Sequence, residues 1–215
     1  MKSILVIGLG RFGTYISKEL FDMNHEVMGV DINEECVNEA LPFVTNALIG
    51  DSTNRNFLET LGIPDYDACV VAIGDGFQGS LETVSLLKEL GARHIIARAS
   101  SDQQEKLLLK IGSDEVIYPE RKLAFWVAIR CSSVNILDYR ELDDEYAVIE
   151  VTPPEEWAGK TLLALELRRR YDFNVLGLRT NGKLDCNVEP NTVFRRDQSV
   201  LLLGSRRKIR RCFQL

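Results

Sequence analysis

Short apolar, largely β-branched runs alternate with amphipathic segments through the first half of the chain. Ile4 to Ile7 and Glu26 to Val30 read as strands, while Arg11 to Met23 and Glu34 to Leu41 carry helical periodicity. The alternation continues with a strand at residues 46 to 50 and a helix from Asn54 to Leu61, stopped by Gly62 and Pro64. A strand at 68 to 74, a helix at 77 to 90, a strand at 94 to 99, a helix at 102 to 111 and a short strand at 115 to 118 follow. These strands lack the polar alternation of half-exposed ones, so they predict a parallel sheet covered on both faces, a Rossmann-type doubly wound α/β fold.

Beyond residue 121 the grammar changes to one long helical stretch, residues 122 to 139. Phe125, Trp126 and Ile129 recur there at near-helical spacing, which suits either a core or a subunit interface. From Glu141 onward come a strand at 146 to 151, the breaker Pro153-Pro154 and a helix from Lys160 to Tyr171. Asn181-Gly182 between two extended runs marks a hairpin, and a strand at 199 to 204 leads into a basic tail. The expected organisation is a nucleotide-binding lobe at 1–120, a connecting or dimerisation helix at 121–137 and a small α+β lobe at 138–215.

Composition narrows the function classes. The 215 residues are 45% hydrophobic and 27% charged, enough to build a core and unlike a disordered chain. A formal net charge of −6 argues against a nucleic-acid binder. Two basic runs stand out locally, Arg168 to Arg170 and Arg206 to Arg211, and each reads as a solvated helix face. The five cysteines are scattered, without a C-x-x-C pair, as in a reducing compartment. The first strand follows Met1 and Lys2 directly, and no apolar run approaches the roughly 18 residues of a membrane span, so a cytosolic protein is expected.

Gly8-x-Gly10-x-x-Gly13 lies directly after the first strand and opens the first helix, the context a nucleotide fingerprint requires. The first glycine permits the turn, the second the approach of a pyrophosphate to backbone N–H groups, and the third the packing of helix on strand. Asp31 ends the second strand, placed for ribose hydroxyls. Asp51-Ser52, after the third strand, suits an adenine or a cap on the next helix, and Gly74 a close ligand approach or a simple turn. Arg98 within an apolar strand needs a partner, either a phosphate or a structural ion pair. Arg11 stands inside the glycine turn, beside where phosphates would lie or facing solvent. The two histidines, His25 and His94, are isolated and read as structural, and no hydrolase or zinc motif occurs.

The chain resembles the RCK (KTN) family, the cytosolic regulatory subunits of bacterial Ktr and Trk potassium channels and transporters. The likeness rests on VIGLGRFG (6–13), EVMGVDINEE (26–35), VVAIGDGFQGS (70–80), LLKELGARHIIARA (86–99), LLKIGSDEVIYPE (108–120) and the trailing GKTLLALELRRRYDFNVLGLR. It implies a protein that is not an enzyme. Such a subunit binds ATP or ADP, or alternatively NAD(H), assembles as dimers into an octameric ring, and gates an integral-membrane potassium-translocating partner from the cytoplasmic face. By position, Arg11 and Arg98 would meet phosphates, Asp31 the ribose, and Asp51 and Ser52 the adenine side, with Phe12, Ile32, Ala72, Ile73 and Gly74 completing the pocket. Glu120, by itself a helix N-terminal charge, would help hold Mg2+ or another divalent cation. Some members bind cyclic di-AMP in the C-terminal lobe, at positions matching Leu162, Leu163, Arg168, Asn174, Val175 and Pro190, although Glu166 and Arg170 depart from that pattern. Arg11 with Glu120 favours ATP over NAD(H). The competing expectation is a small NAD(P)-dependent oxidoreductase, for which the lobe after residue 138 offers no histidine.

Overall fold

The computed structural model describes residues 1–74, 76–132 and 135–213. Its chain divides into two compact units, Met1–Glu120 and Arg121–Leu215.

In the first unit, β1 (Ser3–Ile7), β2 (Glu26–Asp31), β3 (Asn46–Ile49), β4 (Ala68–Val71), β5 (Ile95–Arg98) and β6 (Glu115–Ile117) form one parallel sheet in the order β3-β2-β1-β4-β5-β6. Helices α1 (Arg11–Asp22), α2 (Glu34–Ala40), α3 (Arg55–Thr60), α4 (Phe77–Glu89) and α5 (Asp102–Ile111) make the crossovers. The strand alternation feeds two cores. Ile4 and Val6 pack with Val37 and Ala40 of α2, whereas Leu5 and Ile7 pack with Val84 and Leu87 of α4 and Leu108 of α5. Both faces are therefore apolar, as in any doubly wound sheet. Helix starts are fixed locally: Asn33, Asn54 and Ser101 accept backbone N–H bonds at the heads of α2, α3 and α5. The cap of α3 is thus Asn54, whereas Asp51 closes its own turn upstream.

The second unit is built on an antiparallel sheet. β7 (Ile136–Glu141), β8 (Tyr146–Val151), β9 (Asn174–Thr180), β10 (Lys183–Asp185) and β11 (Gln198–Ser205) run in the order β10-β9-β11-β8-β7. The hairpin at Asn181-Gly182 forms as expected, both residues at positive φ (49° and 80°). Ile149, Trp157, Leu167, Phe173, Phe194, Leu202, Ile209 and Phe213 fill one continuous core.

Two expected helices are corrected. The stretch 122–139 is not one helix: α6 (Pro119–Ser132) ends at Ser132, residues 133 and 134 lie outside the described residues, and Ile136 already opens β7. The physical reason is the ladder with β8, in which Tyr139 lies opposite Ile149 and both side chains reach the core. Lys160 to Tyr171 is likewise interrupted, because Glu166 adopts a left-handed backbone (φ 47°) between α7 (Leu162–Leu165) and α8 (Leu167–Tyr171). Leu162 and Leu163 donate instead to the carbonyls of Thr192 and Pro190, which fixes the angle at which α7 enters.

Since each unit owns its core, Leu202→Ala should cost the second unit about 3 kcal/mol and speed amide exchange in β8, β9 and β11 while leaving β1 and β4 protected. Equal acceleration in both sheets would contradict separate cores.

Candidate functional site

The strand order reverses between β1 and β4, and beyond their carboxyl ends opens a cleft of about 710 Å³. Gly8, Gly10, Arg11 and Phe12 line it from the turn, Asp31 and Ile32 from the end of β2, and Asp51 and Ser52 from the loop after β3. Ala72, Ile73 and Gly74 after β4, Arg98 ending β5 and Glu120 in the first turn of α6 complete the wall. Every residue singled out for the N-terminal lobe faces this cleft except Gly13, which lies beneath it. Tyr15, Gly50 and Thr53 also line the cleft and were not anticipated. The signal for Tyr15 was its place one helical turn after Arg11.

The three glycines divide by what surrounds them. Gly8 has φ +91°, and a Cβ there would press on the backbone of Ala72 and Ile73 at 3.0 Å. On Gly13 a Cβ would collide with the Gly8 carbonyl, so α1 crosses β1 only because that position is bare. Gly10 differs: a Cβ there would meet nothing within 4 Å. No neighbouring atom of the chain requires a bare residue at Gly10, so the space beside it is open to the cleft.

Asp31 buttresses the turn. Its Oδ2 accepts the Leu9 N–H at 2.6 Å and its Oδ1 the Asn33 N–H at 2.8 Å, which orients the carboxylate at the cleft wall. Asp51 accepts both the backbone N–H (2.9 Å) and the hydroxyl (2.7 Å) of Thr53, and these bonds hold its carboxyl below the usual range. Ser52 is buried, and its hydroxyl pairs with Thr83 of α4 at 2.8 Å. That bond ties the β3 loop to α4.

Arg98 is held from several sides of the cleft. Its side chain is 21% exposed and its guanidinium lies 5.5 Å from the centre of the Phe12 ring. Nη2 donates to Glu120 Oε1, Nη1 packs where a Cβ on Gly74 would stand (2.8 Å), and the buried Nε–H has no acceptor. An unmet buried donor costs about 1–3 kcal/mol, so the site is poised for an anion. Arg11 is exposed, with no carboxylate partner among the described residues. Glu120 sits low in its titration because its carboxylate bonds to its own backbone N–H at the start of α6, with Arg98 beside it. Among the described residues no three His, Cys, Asp or Glu side chains group to enclose a metal ion. Glu120, which belongs to no such group, would hold a divalent cation only together with other ligands.

In the second unit, the Leu163 N–H bond to the Pro190 carbonyl (2.9 Å) draws α7 and the loop before β11 together. Leu162 and Val175 pack at the edge of the core, Arg168 lies on α8, and Asn174 opens β9. All five cysteines are free, and burial pushes the Cys69 thiol up to about 12. No helix among the described residues is long and apolar enough to cross a membrane.

Residues 4–119 match the family model of the TrkA-N domain and residues 146–215 that of the TrkA-C domain. The Ktr system potassium uptake protein C of Bacillus subtilis (strain 168) is 39% identical over 204 residues, 95% of this chain and 92% of that protein. The crystal structure of the GsuK RCK domain superposes with a TM-score of 0.70 at 17% identity, covering 100% of this chain and 47% of the other. The GsuK channel bound to NAD gives 0.69 at 17% identity, covering 96% of this chain and 38% of that one. This chain thus spans less than half the length of those GsuK chains, and the likeness to them is one of fold.

The glycine geometry separates fold from ligand. Gly13→Ala should destabilise the ligand-free protein by about 3 kcal/mol or more through backbone overlap, and Gly10→Ala by at most about 1 kcal/mol as a changed helix cap. Thermal unfolding without nucleotide checks both, and equal losses would contradict the assignment.

Proposed function

We propose that this chain, which belongs to the family of potassium-uptake proteins built from a TrkA-N and a TrkA-C domain, is the nucleotide-sensing, non-enzymatic regulatory subunit of a potassium channel or transporter. The observation that carries the reading is the unmet Arg98 Nε–H in a cleft where Gly10 is sterically unconstrained by its own chain.

In this reading ATP or ADP lies along the turn. Its diphosphate sits over the N-terminus of α1, where no side chain caps the free N–H groups, and its ribose hydroxyls donate to Asp31. Arg98 and Arg11 engage the phosphates, and a divalent cation is shared between Glu120 and phosphate oxygens. NAD(H) also satisfies the turn and Asp31, and a solved channel of this fold holds NAD. The unpaired Arg11 and the carboxylate of Glu120 favour the nucleotide with the terminal phosphate.

A ligand shifts a protein between states only through its different affinity for each. Glu120 occupies Arg98 in the present arrangement and stands at the head of α6, the helix that continues into the second unit. Phosphates that take over Arg98 free Glu120 for the cation and so bias α6. Rings of this subunit, octameric and assembled from dimers, would transmit that bias to a membrane partner at the cytoplasmic face. Cyclic di-AMP is the ligand proposed for the second unit, at Leu162, Leu163, Arg168, Asn174, Val175 and Pro190.

Calorimetric titration with ATP, ADP and NADH tests the assignment. Arg11→Ala should weaken ATP about tenfold and ADP distinctly less, the loss of one charge-assisted contact. An unchanged ATP/ADP ratio contradicts phosphate sensing by Arg11, and tight NADH binding without ATP binding overturns the choice of ligand. Light scattering should give a ring-sized assembly in which NADH is not turned over, and a monomer that oxidises NADH would favour the oxidoreductase instead.

A further inference from the structure

The cleft leaves one charged feature of the chain without a role. Helix α9 (Arg206–Phe213) carries five basic side chains in a protein whose net charge is −6. Two of them are neutralised at its flanks. Arg206 pairs with Glu141 (2.5 Å) and donates to the Asp144 carbonyl, while Lys208 pairs with Asp172 (3.1 Å). Ile209 and Phe213, one turn apart, are sunk in the core, so the helix cannot roll. Arg207, Arg210 and Arg211 follow the spacing i, i+3, i+4 and form a single outward ridge. All three are exposed, and no carboxylate lies within ion-pair reach of them among the described residues. The other basic run differs, since Arg169 and Arg170 both lean on Glu166 (3.1 and 3.7 Å).

We infer that this ridge is a docking face for anionic phospholipid headgroups, which hold the second unit against a membrane surface. The guanidinium fork matches phosphate oxygens in pairs, and three forks on one helical face present several phosphates with one cationic row. Among the described residues no large exposed apolar side chain lies on α9, so this face of the helix lacks the apolar anchor that the centre of a protein–protein interface provides. A row barely more than one turn long also cannot follow a nucleic-acid backbone. The reading rests on the proposed membrane partner only for where the lipid is met, and its charge requirement is independent of the nucleotide cleft.

Full-length protein and R207Q/R210Q/R211Q are floated with phosphatidylcholine vesicles that do or do not contain phosphatidylglycerol. Because the three arginines make no hydrogen bond or ion pair among the described residues, the variant should keep the parent melting temperature and nucleotide affinity. The expected result is partition onto phosphatidylglycerol vesicles alone at low salt, lost at high salt and reduced about a hundredfold in the variant, roughly fivefold for each arginine near an anionic surface. Equal partition onto neutral vesicles, undiminished binding by the variant, no binding at all, or RNA binding that outcompetes the vesicles overturns the inference. Loss of nucleotide binding with lipid binding intact would count against the cleft assignment alone.

Discussion

The N-terminal unit depends on how closely α1 lies on β1. At that crossing Gly13 sits against the Gly8 carbonyl, and Gly8 at φ +91° passes over the backbone of Ala72 and Ile73. Any Cβ on Gly13 pushes the helix off the strand, and with it the N-terminus of α1 leaves the switch point between β1 and β4. Asp31 reinforces the same geometry by taking the Leu9 N–H, so the carboxylate suited to a ribose also secures the turn. One tight crossing therefore places the free N–H groups, the acidic residue and the bare Gly10 around a single space.

Arg98 gives that space its polarity. A guanidinium at the end of a parallel strand is costly to desolvate, and the structure offsets the cost in three partial ways: the Phe12 ring, the Glu120 carboxylate and room made by Gly74. The Nε–H remains unmet. Glu120, the partner of Arg98, also lies in the first turn of α6, so in the proposed mechanism a phosphate that took over Arg98 would compete with it.

Much of this was legible in the sequence where the signal is local. Apolar runs without alternation announced the parallel sheet, the glycine spacing announced the turn, and Asn181-Gly182 announced the hairpin. What was not legible depends on partners distant in the chain. The bond of Ser52 to Thr83, the interruption of a helix at Glu166 and the strand at Ile136 arise from contacts with α4, the loop before β11 and β8. The cap on α3 was left open for a nearer reason: Asp51 and Asn54 are both good acceptors, and only the backbone conformation between them decides that Asn54 closes the helix. In the cleft, spacing brought out the glycines and the charges, but Tyr15 and Thr53 entered only once helix and loop had their actual directions.

The most direct test is a crystal structure of the protein grown with ATP and Mg2+. The account predicts phosphate oxygens within hydrogen-bond distance of the Arg98 Nε and the backbone N–H groups at the head of α1, with Glu120 turned from Arg98 toward the cation. ATP bound elsewhere, or bound in the cleft with Arg98 still paired to Glu120 and its Nε unmet, would contradict it.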